Sequence, residues 1–134
     1  MKKYELTDEI KYSNDRELRR IRAILDFGEV KIGTLGGWIE SEKNLSQDNG
    51  AWVYDNAQVF GHAEVFGHAQ VYGNARVFGN AQVFDHAWVH GDAKVSGNAK
   101  VSGGAKVSGN AKVSGNAQVY GNAWIFGDAQ VSDN

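Results

Sequence analysis

Four histidines, four tryptophans and a line of basic residues carry the chemistry this 134-residue sequence has to offer, and most of them recur at fixed intervals. His68 and His86 are 18 residues apart, with His62 in an equivalent slot and His90 four residues beyond His86. A histidine titrates near neutral pH and can serve as a general base. A histidine pair can begin a zinc or nickel site, but a full site needs three or four ligands, so no metal is expected. His62, His68 and His86 stand where Asn usually stands, which favours a structural role. His90 replaces an aromatic or a serine and is the freer of the four, although no carboxylate is placed to orient it. His68, His86 and His90 are therefore the catalytic candidates. Trp52, Trp88 and Trp124 recur every 36 residues, and Tyr54, Tyr72, His90, Ser108 and Phe126 form a second series two positions after the same beat. Phe60 with Phe78, and Phe66 with Phe84, are pairs 18 apart. Arg76, Lys94 and Lys112 are also 18 apart and can attract a phosphate or a sugar acid, or be a solvated face.

The elements that position these residues are short. From Gly50 to Asp133 the chain is 14 hexads without a gap, from GAWVYD and NAQVFG to NAWIFG and DAQVSD. Slot two is Ala in all 14; slot four is Val in 13, with Ile125 the exception; slot six is Gly in 11 and Asp in three. A helix turns about 100° per residue, so a period of six would scatter the valines around its circumference. Ala-x-Val fits a strand, in which residues two apart share a face. Consecutive units share one interior only if the chain bends between them. Gly followed by Asn, Asp, His or Gly provides that bend, since Gly accepts positive φ and Asn, Asp and His tolerate it. Each hexad therefore reads as a strand and a corner, with Ala and Val inward and slots three and five outward.

This pattern resembles the hexapeptide-repeat superfamily, whose fold is a left-handed parallel β-helix with three hexads per coil. The resemblance implies about 4.7 regular coils over 50–134, and it places residues 18 apart on adjacent rungs about 4.8 Å apart. The three tryptophans then share one face, interrupted by Gln70 and Lys106. Arg76, Lys94 and Lys112 form one column, with Lys100 and Lys106 on the other two faces.

Residues 1–49 hold nine of the 14 basic and ten of the 16 acidic residues. Residues 1–29 read as a cap of one or more strands, with Leu18–Phe27 a strand or, alternatively, a helix. Residues 30–49 read as an irregular first coil: Val30 and Ile32 repeat the inward pattern, and Ile39 and Leu45 fall in the Ala slot twelve and six residues before Ala51. The stretch LGGWIESEKNLSQ resembles the head of a bacterial and phage group within the superfamily, one larger member of which is labelled an acetyltransferase.

Net charge is −2, which gives no global case for nucleic acid or an anionic membrane. Without Cys, disulfides and thiolate catalysis are excluded. The charged opening MKKYELTDEIKYSND suggests a cytoplasmic protein, or a virion-associated one if phage-encoded. Enzymes of the superfamily bind an acyl donor between subunits and use a histidine base with an extruded loop, and the 14 hexads contain no insertion. The expectation is therefore a non-catalytic scaffold without cofactor. It associates with itself, as a homotrimer, through Trp52, Trp88, Trp124, Tyr54, Tyr72, Phe60, Phe78, Phe66 and Phe84, with end-to-end contacts at the C-terminal coil. The alternatives are an acetyl-CoA-dependent acyltransferase and a binder that stacks sugars or nucleotides on the same aromatics.

Overall fold

A computed structural model describes residues 2–133. Each hexad forms one short strand, giving 14 from β4 (Trp52–Val53) to β17 (Gln130–Asp133). The strands pair in parallel with partners 18 residues away, as in Gln58 with Arg76, Arg76 with Lys94, and Lys94 with Lys112. Three strands make one lap, and the laps stack into an all-β parallel solenoid of about five coils. Hydrogen bonds run from coil to coil: the Gln82 N–H donates to the Ala99 carbonyl at 3.0 Å, and the Phe84 N–H to Val101 at 3.0 Å. The interior is built from the repeated methyl groups, with every slot-two Ala and slot-four Val from Ala51 to Val113 fully buried.

The corners are simpler than the sequence suggests. Slot six alone takes the left-handed conformation, at φ between +57° and +69°, including Asp55 and Asp85 where they replace Gly. The slot-one Asn and His residues do not adopt it, contrary to the expectation that both corner residues share the bend. One left-handed residue is enough to turn the chain, and this leaves the slot-one side chains free to bond along the rod. Asn80 donates to Asn98 and Asn98 to Asn116, each at 3.2 Å. Asp55 and Asp85 accept from the Gly73 and Gly103 N–H groups one coil on, at 3.3 and 3.0 Å.

The head is a β-hairpin, β1 (Tyr4–Ser13) and β2 (Arg16–Ala23), turning on Asn14 and Asp15 at φ 52° and 63°. The helical alternative for 18–27 is therefore excluded. β2 pairs antiparallel with β3 (Leu35–Ile39), which pairs in parallel with β5 (Gln58–Val59), so the hairpin extends one solenoid face into an eight-stranded sheet. This face is called the head face below.

The first coil begins at Leu35 rather than near Val30. Val30 is buried but bridges only Phe27, and Ile32 is exposed. Ile39 lies opposite Val59 and Leu45 opposite Val65, 20 residues on instead of 18. Both therefore occupy the Val slot, not the Ala slot. The shift comes from the corner over 46–50, which is two residues longer than a regular one.

The LGGWIESEKNLSQ stretch is a joint between head and rod. A Cβ on Gly36 would lie 2.6 Å from the Val53 carbonyl oxygen and 2.7 Å from Ile21. One on Gly37 would lie 2.7 Å from the Ala57 carbonyl oxygen. Glu40 accepts from the Gly61 N–H at 2.8 Å and from Arg16 at 2.9 Å. Ser41 caps the short 3-10 turn Glu42–Asn44, and the Asn44 amide donates to the Ala63 carbonyl at 2.9 Å in place of the interrupted backbone ladder. Gln47 accepts from the Lys3 N–H at 2.8 Å. The Lys3 ammonium closes the longer corner, donating to the Ala51 and Asn49 carbonyls at 2.6 and 3.0 Å. Burial lowers its pKa to about 8, against the opposing pull of Asp48.

Candidate functional site

Because strands stack in register, each outward slot becomes a column. Four pairs of rings in these columns stack face to face on adjacent rungs: Phe60 on Phe78 at 5.1 Å, Phe66 on Phe84 at 4.9 Å, His68 on His86 at 5.0 Å, and Tyr72 on His90 at 4.6 Å. Much of the aromatic content is thus a set of ladders that support the stack, each pair worth roughly 0.5–1.5 kcal/mol beyond its burial. The parallel imidazoles of His68 and His86 have their nitrogen lone pairs in separate parallel planes, so they do not converge on one ion. Among the described residues, no three His, Cys, Asp or Glu side chains lie together as a metal site.

Two residues expected at an outer surface are buried instead. Trp52 is fully enclosed, with Tyr4 and Phe27 against its ring at 6.1 and 5.2 Å. Phe60 is buried with Leu18 of the head and Trp38 of the first coil. Both point outward from the coil as the hexad pattern requires, but the head folds back over them. Phe66, Phe78 and Phe84 are half-buried within their ladders.

The face carrying Trp88 and Trp124 remains open. Tyr72, Trp88, His90, Lys106, Ser108, Trp124 and Phe126 line a groove of about 440 Å³. The Lys106 ammonium sits between the two indoles, 4.6 Å from the Trp88 ring and 5.3 Å from that of Trp124. This cation–π contact lets a lysine occupy an aromatic column without an acidic partner. On its head side Trp88 also borders a second recess of about 500 Å³, lined by Glu29, Tyr54, His68 and Gln70. The Tyr54 hydroxyl has its pKa raised there by burial and by the nearby Glu29 carboxylate. The hexad pattern alone does not mark Lys106, Ser108 or Phe126 as site residues. The signal that finds Lys106 is its place in the tryptophan column, between the second and third indoles.

Burial, and then the positive charge of Lys106, hold the His90 pKa below its ordinary value. The imidazole is therefore neutral at neutral pH and able to accept a proton, although among the described residues no carboxylate hydrogen-bonds to it. We predict that NMR titration places the His90 midpoint below the ordinary 6.5, and that Lys106→Met moves it upward. The unfolded chain holds this proton more tightly than the folded one. His90 thus contributes stability that is present above its unfolded value and lost as pH falls through the folded one.

The basic residues stand as the 18-residue lap requires: Arg76, Lys94 and Lys112 are in register on the head face. Lys106 lies on the tryptophan face and Lys100 on the third.

The 14 hexads build an all-β parallel solenoid, and two comparisons with known proteins bear on it. The family model described as the YdcK beta solenoid repeat matches residues 69–84 and 117–133. An Escherichia coli (strain K12) protein named "Uncharacterized acetyltransferase YdcK" is 43% identical over 63 residues, a match covering 41% of this chain and 19% of that relative. No helix among the described residues is long and apolar enough to cross a membrane.

Proposed function

We propose that this protein is a non-catalytic β-solenoid scaffold that associates with itself, as a homotrimer, through its tryptophan face. One observation carries this reading: Trp124 and Phe126, each 64% exposed, continue the groove of Trp88 along one side of a straight rod. A run of exposed aromatics of this kind marks an interaction surface. A flat solenoid face also repeats at the same pitch in every copy, so side-by-side copies can interleave their rows around a closed rotation axis. The contact expected of the early coils moves to the late ones, since Trp52 and Phe60 are taken up by the head. Sedimentation is expected to show a trimer at micromolar concentration. The double substitution Trp124→Ser with Phe126→Ser should give a monomer that keeps its β signal in circular dichroism. A wild-type protein that sediments as a monomer would refute the reading.

A second reading, acyl transfer, is favoured by two observations: the relative's name and a neutral His90 in an open groove. In it, His90 takes the proton from an acceptor hydroxyl or amine as that group attacks the thioester carbonyl of acetyl-CoA; the C–S bond then breaks, the acetyl group stays on the acceptor, and the His90 imidazolium returns the proton to the departing CoA thiolate. Calorimetry with acetyl-CoA separates the two readings, because absence of binding at millimolar donor removes the enzyme.

A further inference from the structure

We infer that the head face holds a binding site for an oligophosphate anion, formed by Lys11, Arg76 and Lys94. The first argument is the placing of charge. On the tryptophan face, slot three runs Trp52, Gln70, Trp88, Lys106, Trp124, and on the third face Glu64, Gln82, Lys100, Gln118. A neutral residue adjoins each cation on both sides there. On the head face, Arg76, Lys94 and Lys112 occupy three consecutive rungs in direct register. Like charges directly opposite one another on adjacent strands are destabilising, so this column carries a repulsion that the other faces avoid and that a bound anion would relieve.

The second argument is pairing. The hairpin arginines are matched: Arg16 with Glu40, Arg19 with Glu17, Arg20 with Glu9 and Arg22 with Glu5. Among the described residues, no carboxylate lies within ion-pair distance of Lys11, Arg76, Lys94 or Lys112; the Lys11 ammonium lies over the Trp38 ring at 5.2 Å, which leaves the three cations of the column as the unmatched ones.

The third argument is shape. Lys11, from the hairpin, joins Gln58, Asn74, Arg76, Asp92 and Lys94 around a recess of about 470 Å³. Asp92 is the one carboxylate at this recess, and its oxygen accepts from the Asn74 amide at 3.3 Å. Three cations against one carboxylate leave the recess doubly positive, which calls for a ligand with at least two negative charges. The guanidinium of Arg76 can take one phosphate through two parallel hydrogen bonds, while the lysines supply point charges for its neighbours. Lys112 continues the column but does not line the recess. This distinguishes a compact oligophosphate from a long polyanion, which would use all the rungs. The site is on a different face from the aromatic groove and does not depend on the function proposed for it.

The test is calorimetry at low salt with tripolyphosphate, with ATP as a second probe. Saturable binding that weakens towards physiological salt is expected. Lys94→Gln and Lys11→Gln should each weaken it about tenfold, the loss of one charge-assisted hydrogen bond, and Lys112→Gln should leave it unchanged. Equal affinities for the two probes would show that the phosphate chain alone is recognised; tighter ATP binding would identify a nucleotide as its source. Either result upholds the site. Absence of saturable tripolyphosphate binding at millimolar concentration would overturn it, as would an affinity indifferent to Lys94→Gln. A Lys112→Gln loss as large as that of Lys94→Gln would also overturn it, in favour of a polymer lying along the column.

Discussion

Replacing Trp52 with alanine should cost about 3–5 kcal/mol, the range for truncating a fully buried large aromatic side chain, and should loosen the head from the rod. Trp52 is fully enclosed and is where the two parts of the molecule meet: Tyr4 of the hairpin and Phe27 of the following loop lie edge-on to its ring. Gly36 approaches the same ring so closely that a Cβ there would lie 2.8 Å from it. The cavity left by Trp52→Ala cannot be closed from the rod side, because the coil is pinned by its rung-to-rung hydrogen bonds. Collapse, if it comes, must come from the hairpin. Chemical denaturation followed by circular dichroism should show a reduced midpoint. Hydrogen exchange should rise in the hairpin and remain slow at Val77 and Val95. Trp52→Phe should cost less, because the buried indole N–H has no acceptor to lose. Equal loss of protection in hairpin and rod would show that the two unfold as one unit and that Trp52 is not a local joint.

The second large effect is expected at a corner. Gly97→Ala should destabilise by about 2–5 kcal/mol, combining the strain of a left-handed residue with overpacking against the next coil. Gly97 has φ 66°, and a Cβ there would lie 2.7 Å from the Gly115 nitrogen and 2.9 Å from its carbonyl oxygen. Gly127 has nearly the same φ, 63°, but a Cβ there would meet nothing within 4 Å. Gly127→Ala should therefore show the backbone strain alone, about 1–2 kcal/mol. The difference between the two variants measures what coil-to-coil contact adds. Identical losses at both positions would mean that stacking tolerates the extra methyl group and that Gly is needed only for its φ.

These two positions show how legible the molecule was in one dimension. The corner at Gly97 follows from the repeat, because a six-residue period with an invariant small inward residue permits little besides a strand and a bend. The interior follows in the same way; the lap of 18, and with it the column of Arg76, Lys94 and Lys112, is implied by the resemblance to the hexapeptide-repeat superfamily and not by the period itself. The division of labour within the corner does not follow from the repeat. Asn and His in slot one suit a left-handed backbone, but the Asn side chains are used along the rod, in hydrogen bonds to residues 18 away, and His68 stacks on His86, contacts that no local window contains. Ile39 and Leu45 were misplaced for a related reason: they keep the six-residue rhythm, and only the pairing with Val59 and Val65 reveals that the corner after them is two residues longer.

The outward aromatics mark the boundary most clearly. Alternation along each strand determined by itself that Trp52, Phe60, Trp88 and Trp124 leave the coil on its outer side, because successive side chains in a strand point to opposite faces whatever surrounds them. Which of them would meet water was decided by tertiary structure alone. The hairpin returns across the first coil and covers Trp52 and Phe60, and Lys106 settles between Trp88 and Trp124. Periodicity is a property of neighbouring residues and can be read along the chain. Exposure depends on which distant segment packs against a surface, and here that segment has no repeat to reveal it.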